Sequence, residues 1–461
     1  MKNKFNLEKN VQRNGGRKPR SAGFQTCCVA GFQIGVARKC RTRPNVARPA
    51  GLETGDTADL EVCATSSGRR RDPNRAARFF LTILFSILAL AGARAQEINI
   101  IQDKDRFSQK PVPISISGFT GEGAEVLKFD LYVQGFSFVS PDAAQYQISG
   151  SDAGEVTGTL TDKFAKRAIF SRSYNGASLR RQAHALADDI VEAVTGKKGV
   201  GQSQIAFKSQ PGVGNGEIYI ADFDGHGAAA LTSDNVIVAK PSWVPGKRAL
   251  YYTSYLRGNP DIYYHGLSSG QRRVIANYSG LNTSAAVSPD GAKIAMVLSK
   301  SGSPNIWVCD ADGKNLKRVT TGSEDSSPSW SPNGDWICFA GKIDGRRRLA
   351  KVSVNGGKPV PFNTAGVPNP TEPDWSPDGK WIAFTSMAGG FDICVLAADG
   401  SIAPVTLVAG ENPSWAPNSR TLVFNHAGGR GQVLSVLDVF TKQYKDCARA
   451  AGSNSQPAWA K

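Results

Sequence analysis

Four histidines, 39 acidic residues and eight cysteines are the groups from which this 461-residue chain could build a reactive centre. The histidines, His184, His226, His265 and His426, are scattered. None belongs to an HExxH run or a comparable pair, the spacing that brings two ligands to one helix face. Asp222, Asp224 and His226 crowd together in ADFDGHG, a set that could ligate a metal. The same letters also punctuate hairpins, because Asp and Gly suit tight turns, and that reading is preferred. No GxSxG elbow occurs to seat a nucleophilic serine. The glycines of GFTGEGAEV suggest a phosphate loop, but the third glycine would fall at Val126 and no GK[ST] follows. His184 lies among basic residues of a helical stretch and reads as a solvated helical histidine. No catalytic residue, metal site or cofactor is therefore assigned, and a non-enzymatic protein is expected.

Four cysteines, Cys27, Cys28, Cys40 and Cys63, stand near the chain's start. The others, Cys309, Cys338, Cys394 and Cys447, are widely spaced, form no CxxC, and three of them sit in apolar strand patterns. Free buried thiols are the expectation, although an oxidising compartment would permit pairing. The net charge of +16 is unevenly spread: residues 1–95 hold 18 of the 55 basic and 6 of the 39 acidic residues, which leaves the remainder near +4. So balanced a body makes no electrostatic case for nucleic acid.

The basic excess surrounds an address. Residues 79–91 read FFLTILFSILALA, preceded by Arg69, Arg70, Arg71, Arg75 and Arg78 and followed by Ala93-Arg94-Ala95. A positive region, a short apolar run and a small-x-small site predict a secretory signal peptide over 69–95, cleaved after Ala95 to leave Gln96. The run falls short of the ~20 residues that span hydrocarbon, so no stable membrane insertion of the mature chain is expected. Residues 1–68 show no periodicity and remain unassigned, either a disordered tail or an overextended start.

Residues 96–200 predict a small α/β domain. VPISISGF (112–119) reads as a strand, 124–134 as a helix ending at Gly135, and FSFVS, QYQISGS, EVTGTLTD and RAIFSRSY as short strands. From Ser178 to Gly196, Leu179, Ala183, Leu186, Ile190 and Val194 recur at helical spacing, with Ser178 as N-cap and Gly196 at the C-terminus.

From residue 201 the chain repeats. PSWVPG, AAVSPDG, PSWSPNG, PDWSPDG and PSWAPN place Pro245, Pro289, Pro332, Pro377 and Pro417 at intervals of 44, 43, 45 and 40 residues. A β-rich period near this length means propeller blades. Pro opens each turn, Asp or Asn bonds its own backbone, and Gly supplies the positive φ. Each turn leads to an apolar strand such as WIAFTS, then a third strand and a weaker fourth. The first unit, from QIAFKS, lacks a Pro-x-Trp strand, while PAWAK (457–461) is an orphan. The tail should therefore complete the first blade and latch a ring of six. Val287 in place of Trp, and RRLAKVS as a poor third strand, blur two registers. The expected fold is an N-terminal α/β domain plus an all-β six-bladed β-propeller over 201–461.

This combination resembles the TolB family of the bacterial Tol–Pal system, above all in IFSRSYNGASLRRQAHALADDIVEAVTGKKGVGQSQIAF (169–207). The resemblance implies a periplasmic adaptor that links the lipoprotein Pal, through the propeller, to inner-membrane TolA, through the mature N-terminus. It would serve outer-membrane integrity and constriction at division. A monomer is expected, with no nucleic-acid partner. The loops before the Pro-x-Trp strands gather at one channel mouth, and Asn282, Glu324, Asp325, Glu372, Glu411 and Asn412 are the candidate Pal contacts. Gln96, Glu97, Ile98, Asn99 and Ile100 form an apolar-alternating segment, the candidate for adding as a strand to TolA. The open alternative is an exported propeller that binds a sugar or peptide, unrelated to Tol partners.

Overall fold

The computed structural model describes residues 105–461 apart from 177, 213 and 449. The leader, the segment 96–100 and the four early cysteines lie outside the described residues. Among the described residues no helix is long and apolar enough to cross a membrane.

The small domain has strands β1 (Val112–Ser117), β2 (Phe136–Phe138), β3 (Tyr146–Ser151), β4 (Val156–Asp162) and β5 (Arg167–Tyr174) in the order β2-β1-β3-β4-β5. Helices α1 (Gly121–Tyr132) and α2 (Leu179–Thr195) pack on this sheet. The α2 stripe behaves as its spacing predicts: Ala183, Leu186 and Ile190 are wholly buried against Ile114, Ile148 and Leu160. Ser178 Oγ accepts from Arg181 N at 3.3 Å, and Gly196 takes φ 69°. Helix α1 starts three residues earlier than its apolar pattern indicates, because the Asp152 carboxylate accepts from the N-cap Thr120 N–H at 3.1 Å. A distant acid there overrides two unfavourable glycines.

His184 corrects the sequence reading. It is buried, not solvated, and its Nδ1 lies 2.6 Å from Asp130 of α1. Helix α2 buries one face on its own sheet and presents another to the propeller, where Arg180 pairs with Asp224. Asp224 also accepts from His226 N at 3.0 Å, so ADFDGHG is a braced turn at the domain junction. Phe107 is wholly buried there too, against Trp381 and Phe440.

The propeller begins with three strands, β6 (Gln204–Gln210), β7 (Glu217–Asp222) and β8 (Ala229–Ala230). Blade 2 follows as β9 (Val238–Trp243), β10 (Ala249–Ser254), β11 (Asp261–Gly266) and β12 (Arg272–Ala276). Blade 3 is β13 (Asn282–Val287), β14 (Lys293–Leu298), β15 (Asn305–Asp310) and β16 (Lys317–Arg318). Blade 4 is β17 (Ser326–Trp330), β18 (Trp336–Ile343), β19 (Arg346–Ser353) and β20 (Val360–Pro361). Blade 5 is β21 (Thr371–Trp375), β22 (Trp381–Met387), β23 (Phe391–Ala397) and β24 (Val405–Ala409). Blade 6 is β25 (Glu411–Trp415), β26 (Thr421–Gly428), β27 (Gly431–Asp438) and β28 (Tyr444–Asp446). Finally β29 (Ser453–Trp459) pairs with β6, from Ser453↔Gln210 to Trp459↔Ile205, and completes blade 1. Six four-stranded sheets and the tail latch agree with the repeat arithmetic. RRLAKVS proves a full strand, since β19 pairs with β18 along its whole length.

The repeat's chemistry is visible in each turn. Gly246, Gly291, Gly334 and Gly379 hold φ between 67° and 76°. Where a serine precedes the proline it does as much as the Asp or Gly: Ser376 Oγ donates to Asp378 Oδ1 at 2.7 Å and accepts from Trp381 N at 2.9 Å. Ser331 repeats this with Asn333 and Trp336 N. The tryptophans join neighbouring blades. Trp330 Nε1 donates to Ala286 O, Trp415 Nε1 to Asp374 O and Trp243 Nε1 to Ala458 O, all at 2.9–3.1 Å. Trp375 instead bonds Gly379 O of its own turn. The four thiols Cys309, Cys338, Cys394 and Cys447 are free and buried.

Candidate functional site

Each innermost strand breaks register against its neighbour, and at each break one residue other than glycine turns left-handed. These residues are Lys240, Ser284, Ser327, Glu372, Asn412 and Gln456, with φ between 50° and 56°. Each immediately precedes the Pro-x-Trp position of its blade. A left-handed conformation in such residues costs of order 1 kcal/mol or more, so its recurrence six times marks a feature that the ring geometry imposes. Together the six form a polar collar around the central channel. Above it opens a funnel of about 390 Å³, walled by the prolines and tryptophans of the repeats.

The collar is closed on one side by contacts across the ring. Lys240 of blade 2 reaches Glu372 of the opposing blade 5, with Nζ 2.9 Å from Oε1, and donates to Asn412 Oδ1 at 2.5 Å. Glu372 Oε2 accepts from Thr385 Oγ1 at 3.0 Å and from Asn412 N at 3.1 Å. Lys240 N donates to Gln456 Oε1 at 2.9 Å.

The two channel ends differ. The small domain sits at the end of the Ser-Pro-Asp-Gly turns: Lys197 bonds Asn418 O, Gln109 N bonds Phe440 O, and Gln443 Nε2 bonds Phe136 O. The mouth formed by the loops before the innermost strands lies at the other end, away from these contacts.

The sequence-derived mouth residues divide into three kinds. Glu372 and Asn412 belong to the collar. Glu411 stands beside them; its Oε1 accepts from Asn425 Nδ2 at 3.1 Å, and burial, helped by the Glu372 charge, raises its pKa. Glu324 is 60% exposed on the rim, 3.8 Å from Lys342. Asn282 and Asp325 are buried and turned inward. Asn282 clamps its own loop through Tyr278 N, Tyr278 O and Gly280 O. Asp325 accepts from Thr320 Oγ1 at 2.5 Å and Asn305 Nδ2 at 3.2 Å, while burial raises its pKa. Sequence reasoning missed Lys240, Ser284, Ser327 and Gln456, although aligning the repeats places all four beside Glu372 and Asn412. Among the described residues no group of three or more His, Cys, Asp or Glu is placed to hold a metal ion.

These features define a class: a closed six-bladed β-propeller with an α/β domain docked at one channel end and a polar mouth at the other. The model of the TolB beta propeller domain matches residues 191–461, more than half of the chain. The chain belongs to the TolB family. It is 31% identical over 202 residues to the Tol-Pal system protein TolB of Francisella tularensis subsp. tularensis (strain WY96-3418), and equally to that of subsp. mediasiatica (strain FSC147). Those matches cover 42% of this chain and 46% of each relative, so the chain spans about half the length of the curated relatives it matches. The crystal structure of TolB from Acinetobacter baumannii has the same fold, with a TM-score of 0.69 at 24% identity over 77% of this chain and 97% of that one.

Proposed function

We propose that the protein is a non-enzymatic periplasmic adaptor of the Tol–Pal system, joining Pal to TolA for outer-membrane integrity and constriction at division. The observation that carries this reading is the match to the TolB propeller family on a ring whose one mouth is left free by the small domain. A globular partner can seat on that mouth, because a rigid ring holds its loops in fixed positions. Glu324 offers a solvated charge there, and Glu372, Glu411 and Asn412 form the polar floor. Asn282 and Asp325 serve the interface by fixing the loops that carry it. Residues 96–100 supply the second contact, as an extended strand added to TolA.

The test is calorimetric titration of the mature chain from Gln96 with the periplasmic domains of Pal and TolA. Glu324→Lys weakens Pal binding severalfold, and deletion of residues 96–100 abolishes TolA binding with thermal unfolding unchanged. Full Pal affinity in the first variant, or full TolA affinity in the second, overturns the corresponding half of the proposal.

A further inference from the structure

The β18–β19 hairpin of blade 4 carries Lys342, Arg346, Arg347 and Arg348 against one acid, Asp344. It turns at the mouth end, since β17 leads away from the mouth and β18 returns to it. Strand alternation separates Arg347 from Arg346 and Arg348. Arg347 leans across the blade boundary, where Nη2 donates to Ser326 Oγ at 3.0 Å and to Thr371 Oγ1 of blade 5 at 3.1 Å. Both acceptors are neutral. Its Nε is buried without an acceptor among the described residues.

Three other partly buried arginines meet a carboxylate, Arg180 at Asp224, Arg272 at Asp234 and Arg420 at Asp438, whereas Arg318 is held by the neutral Thr320 O and Asn305 Oδ1 of its own blade. Arg347 has no such ion pair among the described residues. The two acids whose charge reaches it, Glu324 and Glu372, are engaged elsewhere. Glu372 is held by Lys240, Thr385 and Asn412, and Glu324 faces Lys342. Burial accordingly draws the guanidinium pKa downward. An arginine fork half-removed from water with neutral acceptors alone is poised to gain from a carboxylate, the partner its geometry matches.

We infer that Arg347 anchors a carboxylate side chain of the protein that seats on the mouth, with the hairpin's other cations steering an acidic segment toward it. This rests on the mouth being a partner surface. A protein fits better than a polyanionic polymer or lipid surface, because Glu324 and Glu411 share the mouth and repel a uniformly negative ligand. A protein face of mixed charge satisfies both signs.

Two measurements on the mature chain test this. In the first, the Pal periplasmic domain is titrated into wild type, Arg347→Met and Arg347→Gln. Loss of the charge-assisted contact weakens affinity about ten- to a hundredfold. The thermal midpoint moves by a few degrees at most, because the variant loses hydrogen bonds to two hydroxyls and no ion pair. Gln keeps a polar, uncharged side chain at the same strand position, so it serves should Met lower the midpoint. Wild-type affinity in a folded variant overturns the inference and leaves the adaptor reading standing. In the second, the ¹⁵Nε resonance of Arg347 is followed during titration with succinate, phosphate and chloride at equal ionic strength. A saturable shift with succinate supports the carboxylate site even if Pal itself fails to bind, the result that would sink the adaptor reading. No shift with succinate, or a shift with phosphate only, overturns the inference.

Discussion

Trp459 tests whether the tail latch holds the ring. Its side chain is 2% exposed, its ring centroid lies 6.0 Å from that of Phe223, and its Nε1 donates to Ser203 Oγ at 2.8 Å. Its backbone N donates to Ser414 Oγ of blade 6 at 3.1 Å. One residue thus touches blade 1, blade 6 and the segment that leads out of the small domain. Trp459→Ala removes a fully enclosed aromatic from a site bounded by three rigid elements that cannot collapse, which costs about 3–5 kcal/mol. Trp459→Phe keeps the ring contact and loses the hydrogen bond, costing about 1 kcal/mol, since Ser203 Oγ still donates to Val200 O. Trp243 occupies the equivalent place in blade 2 but is only half-buried, so Trp243→Ala costs less. Urea unfolding followed by far-UV circular dichroism gives the three values without relying on tryptophan emission. The expected order is Trp459→Ala above Trp243→Ala above Trp459→Phe. A loss below about 1 kcal/mol for Trp459→Ala, far short of what cavity formation demands, would refute the latch argument.

The domain junction gives stability two opposed pH dependences. Burial pushes Asp188 up to about 7, against the pull of the Gly201 and Gln202 N–H groups, so its contribution is present below the ordinary carboxylate range and lost as pH rises through 7. Burial of Asp130 acts in the same direction. Burial instead lowers His184 to about 4, so its contribution is present above the ordinary imidazole value of 6.5 and lost as pH falls through 4. Taken as the difference from wild type, the thermal midpoint of Asp188→Asn is expected to gain from about pH 4.5 to 6.5 and that of His184→Gln to lose over the same window; difference profiles with slopes of the same sign would contradict this. The thiols offer a simpler check. Burial pushes Cys309 up to about 12 and raises Cys338, Cys394 and Cys447 as well. A chain that starts at Gln96, and so lacks the four early cysteines, should therefore give almost no reaction with a thiol reagent near pH 8 until urea unfolds it, whereas rapid labelling of the native protein would count against burial.

The ring was legible because its repeat consists of residues with few alternative uses. A Pro-x-Trp strand followed by a Pro-Asp-Gly-type turn specifies a strand, a turn and the start of the next strand, so counting these units counts blades. The helix from Ser178 to Gly196 was legible through its caps and its single stripe. His184 was not, because periodicity reports which face is apolar and is silent about a polar face buried by a second domain. Asn282 and Asp325 show the same limit at the mouth. An amide or carboxylate in a loop looks alike in sequence whether it clamps backbone groups or meets solvent, and only its neighbours, here Tyr278 and Thr320, decide. The left-handed collar stayed hidden because Lys, Glu and Gln are not residues from which positive φ is inferred. Arg347 stayed hidden because three consecutive arginines look like one solvated run until strand alternation separates them.

The pairing of β29 with β6 joins stretches about 240 residues apart in the sequence. During synthesis the first blade therefore waits, with one edge strand unclaimed, until five complete blades have emerged. The ring cannot close around a mispaired neighbour without excluding its own last strand. The docking of β29 on β6, after five complete blades, thus becomes the checkpoint at which a correctly ordered circle is distinguished from an open stack.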